Sequence, residues 1–298
     1  MAAAWPDVSY AHWSDTCDTL HAHAQVLGKI AVALAAPEPQ LQHAALRLTA
    51  RGWETAPLPA PDDSGALGVT LDLHAHEAVV EHSDGRAQRI ALTPDRPVGE
   101  VTRAVLAAAR ELGGGEIAFN AKPSEVPWTT PLDVDEEHHR YDEEAVRAYH
   151  GAALQAAFVL AAFRAPYRGR TSPVNAWWGT FDLAVSLYSG RHVEVTATDF
   201  IRRNTMDAEQ VEVGWWPGDA RYPRAAFYAF VHPAREGFAG AELAVGRWDD
   251  GMGEYLLDWD DARVTSDPHA TALAFARAVF AHACDVCEWD PLLGAGGS

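Results

Sequence analysis

Residues 170–191 read RTSPVNAWWGTFDLAVSLYSGR. Phe181, Leu183, Val185 and Leu187 occupy every second position and Asp182 falls out of phase with them, the period of a strand whose two faces differ. Asp182 therefore meets either solvent or a polar cavity, and the alternation leaves both open. Trp177 and Trp178 are neighbours on the preceding strand, so they point to opposite sides, one toward a core and the other toward a wall that a ligand can touch. The stretch thus reads as a strand pair, at about 173–178 and 181–188, that carries Asn175, two tryptophans and an aspartate.

Working outward, further strands are predicted at 210–215, 225–231 and 253–257, and a final helix follows the Asp267-Pro268 start signal to about Cys287. Upstream, 142–165 is helical, with Val146, Tyr149, Leu154, Phe158 and Phe163 as its apolar residues and Pro166 as its stop. At the start of the chain, Leu20, Val26, Leu27, Ile30 and Leu34 recur at helical spacing over 9–35 until Pro37 and Pro39. Leu46, Leu48 and Ala50 then alternate with Arg47, Thr49, Arg51 and Trp53 as one strand. Leu67 to Leu73, Val79 to His82 and 86–92 form an antiparallel meander turned by Ser83-Asp84-Gly85, and a helix over 98–112 runs into Gly113–Gly115. Residues 116–140, with prolines, acids and no period, are a connector.

Helices segregated from antiparallel strands specify an α+β fold. The expectation is two similar halves, each helix, antiparallel strands, helix, packed around a central seam, with 1–115 and 141–298 as the halves and 116–140 between them. No residue-level repeat accompanies that order.

The 298-residue chain carries a formal charge of −19 and is 48% hydrophobic, a composition that buries a core readily. Nucleic acid and anionic membranes are not expected partners, since clustered Lys and Arg are missing. The opening MAAAWPDVSYAHWSD has neither the basic nor the apolar region of a leader, and no apolar run reaches a membrane span, so a cytoplasmic protein is expected. Cys17, Cys284 and Cys287 are too few for a disulfide framework. Cys284-x-x-Cys287 falls at a helix end whose dipole opposes a thiolate, so core cysteines are the reading. Only Lys29 and Lys122 among 23 basic residues are lysines, which makes each a candidate chemical choice against an arginine-rich background.

Three constellations carry possible chemistry. His21, Gln25 and Lys29 lie four residues apart on the first helix and project from one side, an imidazole, an amide and an ammonium able to move a proton or hold an anion. Arg51, beside Thr49 and Trp53, presents a planar guanidinium suited to a carboxylate or phosphate, or to an internal salt bridge. Trp177, Trp178 and Trp216, the last within Trp215-Trp216-Pro217-Gly218, can wall a site or pack internally. His74-x-His76 sits at a hairpin tip and His138-His139 in a solvated connector; no metal and no cofactor is expected. G-x-S-x-G, phosphate-loop, G-x-G-x-x-G and H-E-x-x-H patterns do not occur.

W-x-x-T-x-x-T-L-H (13–21), Q-x-x-G-K (25–29), T-A-R-G (49–52), S-D-G (83–85), E-V-P (125–127) and W-G-T-F-D-L-A (178–184) together resemble a bacterial family, domain of unknown function 5996. The likeness continues through Trp216-Pro217-Gly218, Phe227-Tyr228-Ala229 and Gly253-Glu254-Tyr255. It implies that His21, Gln25, Lys29, Arg51, Trp178 and Asp182 belong to a recurring pattern and that His74 does not. It implies no activity. Sequences of this resemblance tend to read S-P-V-H where Ser172 to Asn175 stands here, so Asn175 marks a departure.

The expectation for function is an enzyme acting on a small, partly apolar organic molecule with an anionic group, in a Trp-lined pocket between the halves. His21, Asp182 and Lys29 would do the chemistry, and Gln25, Arg51, Asn175, Trp177, Trp178 and Trp216 would bind. The alternative is a non-catalytic protein that binds or senses the same kind of molecule, and a third reading has every tryptophan packed internally.

Overall fold

A computed structural model describes residues 5–294. The chain is α+β, with helices and two antiparallel six-stranded sheets. It divides into two compact units. The first comprises Tyr10–His150 with Ala176–Phe181; the second comprises Met1–Ser9, Gly151–Asn175 and Asp182–Ser298, as far as described. The 116–140 connector falls inside the first unit.

The first unit opens with α1 (Tyr10–Leu34), which departs from helical angles at Trp13. β1 (Arg47–Leu48) and β2 (Gly52–Glu54) follow, then β3 (Leu58–Pro59), β4 (Ala66–Asp72), β5 (Glu77–His82), β6 (Ala87–Ala91) and α2 (Val98–Gly113). The sheet runs β1-β2-β4-β5-β6, with β3 also paired to β4. Leu67, Val69 and Leu71 of β4 and Ala78 and Val80 of β5 are all within 1% of full burial. α2 starts at Pro97, whose fixed φ suits a helix start, and ends on Gly114 in the left-handed region at φ 67.

The single strand expected over 46–53 is a tight hairpin instead. Thr49 N–H donates to Gly52 O at 2.7 Å, and Leu48 pairs with Trp53. Apolar and polar residues alternate in the sequence up to Arg51, but the two-residue turn at Ala50 and Arg51 pairs Leu48 with Trp53 on one face, so the alternation switches across it and Trp53, expected on the polar face, is buried.

α3 (Glu143–Arg164) is capped by the Asp142 carboxylate, which accepts from Glu144 and Ala145 N–H at 2.8 and 3.1 Å. Phe158, expected on its apolar row, is 57% exposed. Alanines 152, 153 and 156 carry the buried stripe with Val146, Tyr149, Val159, Leu160 and Phe163. The error came from weighting large residues over small ones that pack closely.

The second unit continues with β7 (Asn175–Trp177), β8 (Asp182–His192), α4 (Phe200–Thr205), β9 (Ala208–Trp216), β10 (Ala226–His232), β11 (Arg247–Asp249), β12 (Glu254–Asp258), α5 (Trp259–Arg263) and α6 (Pro268–Val286). α4, β11 and α5 had been missed, being too short to show a period. The sheet order is β11-β12-β10-β9-β8-β7. One face, with Leu183, Val185, Val213, Trp215, Phe227 and Tyr255, is fully buried. Trp259 lies 5.5 Å from Trp215 and stacks on Trp5 at 4.2 Å. Each such aromatic contributes about 2–3 kcal/mol on burial. The Asp267 carboxylate caps α6 by accepting from Ala270 N–H at 2.9 Å. Among the described residues no helix is long and apolar enough to cross a membrane.

Candidate functional site

In the first unit the polar ladder of α1 closes on one serine. Gln25 is fully buried, and its amide grips Ser124 at two points. Oε1 accepts from Ser124 N–H at 2.8 Å and Nε2 donates to Ser124 O at 2.9 Å. One turn further on, Lys29 Nζ donates to Ser124 Oγ at 3.0 Å. One turn back, His21 Nε2 lies 3.0 Å from the carbonyl oxygens of both Trp178 and Gly179. Two acceptors require that Nε2 carry the proton, so the 3.3 Å approach of Gln25 Nε2 is a contact between two donors.

Trp178 is seated by its own set of constraints. Its indole lies against α1 where Gly28 offers no side chain; a Cβ there would come within 2.0 Å of the ring. Its Nε1 donates to Ala44 O at 3.1 Å. Lys29 Nζ then stands 5.2 Å from the ring centroid, within cation–π reach. The motif Q-x-x-G-K thus has a local meaning: the amide fixes Ser124, the glycine admits the indole, and the lysine reaches over the indole to Ser124.

Lys29 is only 5% exposed, and among the described residues no carboxylate pairs with it. Burial, helped by the like charge of Lys122, brings its pKa down from 10.5 to about 8. An ammonium buried without a counter-charge is costly, and one neutral hydroxyl does not offset that cost.

Ser124 sits in the 116–140 segment, which has no helix or strand but is firmly tied. Leu132 N–H donates to Ala121 O, Gly99 N–H to Asp135 O and Val98 N–H to His138 O, at 2.9, 2.7 and 2.9 Å. Glu125, next to the serine, is in the left-handed region at φ 58, which reverses the chain and leaves Ser124 half-buried. Trp128 from the same loop meets His21 edge-on at 5.7 Å. His21 stacks on Phe181 at 5.0 Å, and Phe181 in turn packs against Trp53 and Tyr149. His138, expected in solvent, is 14% exposed and hydrogen-bonds the buried Asp135 at 2.7 Å. Burial opposes its charge, but the hydrogen bond and charge of Asp135 outweigh it and raise its pKa.

The other expected residues of this unit lie apart from that ladder in their contacts. Arg51 is in the hairpin turn, 60% exposed, with its guanidinium on Asp72. Burial acts against the Asp72 carboxylate, yet N–H donors of Ala75 and His74 together with Arg51 hold its pKa below the usual value. His76 is at the hairpin tip and hydrogen-bonds Tyr141 at 3.1 Å. Trp177 is half-buried on β7.

The second unit holds a contrasting cluster. Register places Ser186 opposite Glu212, Ala184 opposite Gly214, and Tyr228 opposite Gly214 on the next strand, so these side chains share a face. Tyr228 OH donates to Asp182 Oδ2 at 2.5 Å and lies 3.3 Å from Glu212 Oε1; Ser186 Oγ donates to Glu212 Oε2 at 2.8 Å. Gly214 makes room for the tyrosine, since a Cβ there would come within 2.3 Å of its ring. Asp182 is 3% exposed, which resolves its two sequence alternatives in favour of a polar interior. Burial and the neighbouring Asp182 push Glu212 up to about 8, and burial with Asp182 pushes Glu254 up to about 7. Trp216 packs against Tyr222 and Tyr228, each at 5.6 Å, and Asn175 is fully buried. Among the described residues no three of His, Cys, Asp and Glu gather so as to hold a metal ion.

Of the residues expected from the sequence, His21, Gln25, Lys29 and Trp178 lie in this ladder and Asp182 in the second cluster; Ser124, Trp128 and Glu212 were not among them, and Tyr228 entered only through the Phe227-Tyr228-Ala229 likeness. The one available signal for Ser124 was its place between Lys122, one of two lysines, and the E-V-P motif.

A family model described as "Family of unknown function (DUF5996)" matches residues 5–293. The chain belongs to that family. Neither the curated proteins nor the solved structures yielded a match.

Proposed function

We propose that this DUF5996 member is an enzyme acting on a small, partly apolar organic molecule that carries an anionic group, taken up beside Lys29. One observation carries the reading: Lys29 is a buried ammonium that no carboxylate pairs with among the described residues, set beside the Trp178 indole. An anionic ligand supplies the missing counter-charge, and the half-buried Trp128 suits an apolar body. A proton affinity near 8 favours chemistry over passive binding, because a group that gains and loses its proton near neutrality serves as acid and base. His21 orients through the Trp178 and Gly179 carbonyls. Asp182 has, within its own unit, a proton-holding part with Tyr228 and Glu212.

The test is calorimetric titration and thermal shift with benzoate, phenylacetate and isovalerate, on the wild type and on Lys29→Met. The expected outcome is a melting point that rises with at least one of these carboxylates at pH 7 and does not rise in Lys29→Met. Equal response of the two proteins, or none in the wild type, overturns the reading. Binding with no turnover of any derivative would favour the sensing alternative.

A further inference from the structure

We propose that Ser124 and Lys29 form a nucleophile–base pair for acyl transfer, taking a small carboxylic ester and releasing its acid. The inference rests on the preceding reading, and it identifies the organic anion as the carboxylate the reaction leaves behind. Four features converge on Ser124. Its Oγ is 3.0 Å from Lys29 Nζ, a distance for direct proton transfer. Its backbone is gripped on both sides by Gln25, which fixes the Cα–Cβ bond from which Oγ extends, and the bond from Lys29 Nζ then selects the rotamer. The chain reverses at Glu125 and leaves the serine half-buried rather than enclosed. Finally, Ser124 Oγ and the Trp178 ring are neutral partners that favour the ammonium only weakly, while burial and the cation Lys122 act against it. A purely structural contact would be served as well by an apolar side chain, without the cost of burying charge.

In the forward step neutral Lys29 takes the proton of Ser124 Oγ while Oγ bonds to the carbonyl carbon, and the carbonyl electron pair moves onto oxygen. When that pair returns, the bond to the alcohol oxygen breaks and Lys29 gives its proton to the departing alkoxide. Water then attacks the Ser124 ester, passing a proton to Lys29, which returns it to Oγ as the acid leaves. The sum is ester plus water to acid plus alcohol. Proton release from the acid to Lys29 leaves a carboxylate beside an ammonium, the state proposed above for the bound anion.

The test is intact mass spectrometry of the full chain with a fluorophosphonate, followed by peptide mapping. A single adduct on Ser124 is expected, forming at a rate that rises with pH through about 8 as Lys29 becomes neutral. Ser124→Ala should take no label. Lys29→Arg, which keeps a donor to Ser124 but cannot act as base, should label about 100-fold more slowly with its melting point retained. No adduct on the wild type, an adduct on another residue, or a rate indifferent to pH overturns the pair. The pH profile needs no variant, so a misfolded variant leaves the proposal exposed. Carboxylate binding by Ser124→Ala separates the two readings: binding kept with wild-type labelling absent removes only the dyad, whereas binding absent from the wild type removes the site itself.

Discussion

Among the described residues, the first unit buries a cation with no carboxylate paired to it, whereas in the second, carboxylates are gathered around a tyrosine and no cation relieves Glu212. Burial penalises the charged form in both places but moves the proton affinity in opposite directions, bringing Lys29 down to about 8 and Glu212 up to about 8. A base and an acid thus reach nearly the same affinity from opposite sides. Both regions also use one packing device, a glycine that gives its place to an aromatic ring: Gly28 for Trp178 and Gly214 for Tyr228. The net charge of −19 forecasts neither arrangement, because local burial outweighs the overall balance.

The strongest way to break the comparison is to fill those two places. Gly28→Ala and Gly214→Ala should each cost about 3 kcal/mol in urea unfolding, since a methyl would overlap a ring held by its own hydrogen bond. Gly151→Ala on α3, where the nearest atom is 3.7 Å away, should instead be neutral or stabilising by up to about 1 kcal/mol. A tolerated Gly28→Ala would mean that the indole is not fixed against α1.

A smaller effect should appear in the pH dependence, with opposite signs. Glu212 binds its proton more tightly when folded, about 8 against 4.5, so stability should fall as pH rises across that window. Glu212→Gln should lessen the fall, leaving the part that Glu254 contributes through about 7, and add about 1–2 kcal/mol at pH 8, read from unfolding midpoints between pH 4 and 9. For Lys29 the folded affinity is the lower one, about 8 against 10.5, so the unfolded chain holds more protons there and stability should rise from pH 8 to 10.5. Lys29→Met should remove that rise and leave the protein about 1 kcal/mol more stable below pH 8. Were both variants to leave the pH profile unchanged, the shared affinity would have no basis. The smallest effect should come from Arg51→Ala, about 0.5 kcal/mol, because that guanidinium is solvent-screened and Asp72 keeps its backbone donors. Both arms of the pH profile should survive it.

What could be read in advance followed from periodicity. The long helices, the meander and the strand pair around Asp182 each repeat a spacing over enough residues to register, and the ladder of His21, Gln25 and Lys29 is a direct consequence of helical geometry. The serine that Gln25 and Lys29 converge on lies 95 residues beyond Lys29, in a segment with no period, so no spacing rule connects them. The Asp182 cluster is set by strand register: its partners Tyr228 and Glu212 lie 46 residues beyond Asp182 and 16 residues before Tyr228 respectively, distances that only the pairing of β8, β9 and β10 converts into contact. The Ala50–Arg51 reversal was hidden for the opposite reason, because apolar and polar residues keep alternating in the sequence from Leu46 to Arg51 although the pairing of Leu48 with Trp53 switches faces there.

The stacking of Trp5 on Trp259, with Trp259 Nε1 donating to Pro6 O at 2.7 Å, has a consequence for biosynthesis. Trp5 is translated more than two hundred residues ahead of Trp259, so its resting place is made only after that intervening stretch has been synthesised. A nascent chain must therefore keep an indole waiting through more than two hundred residues of elongation, roughly 10–50 s at ordinary translation rates.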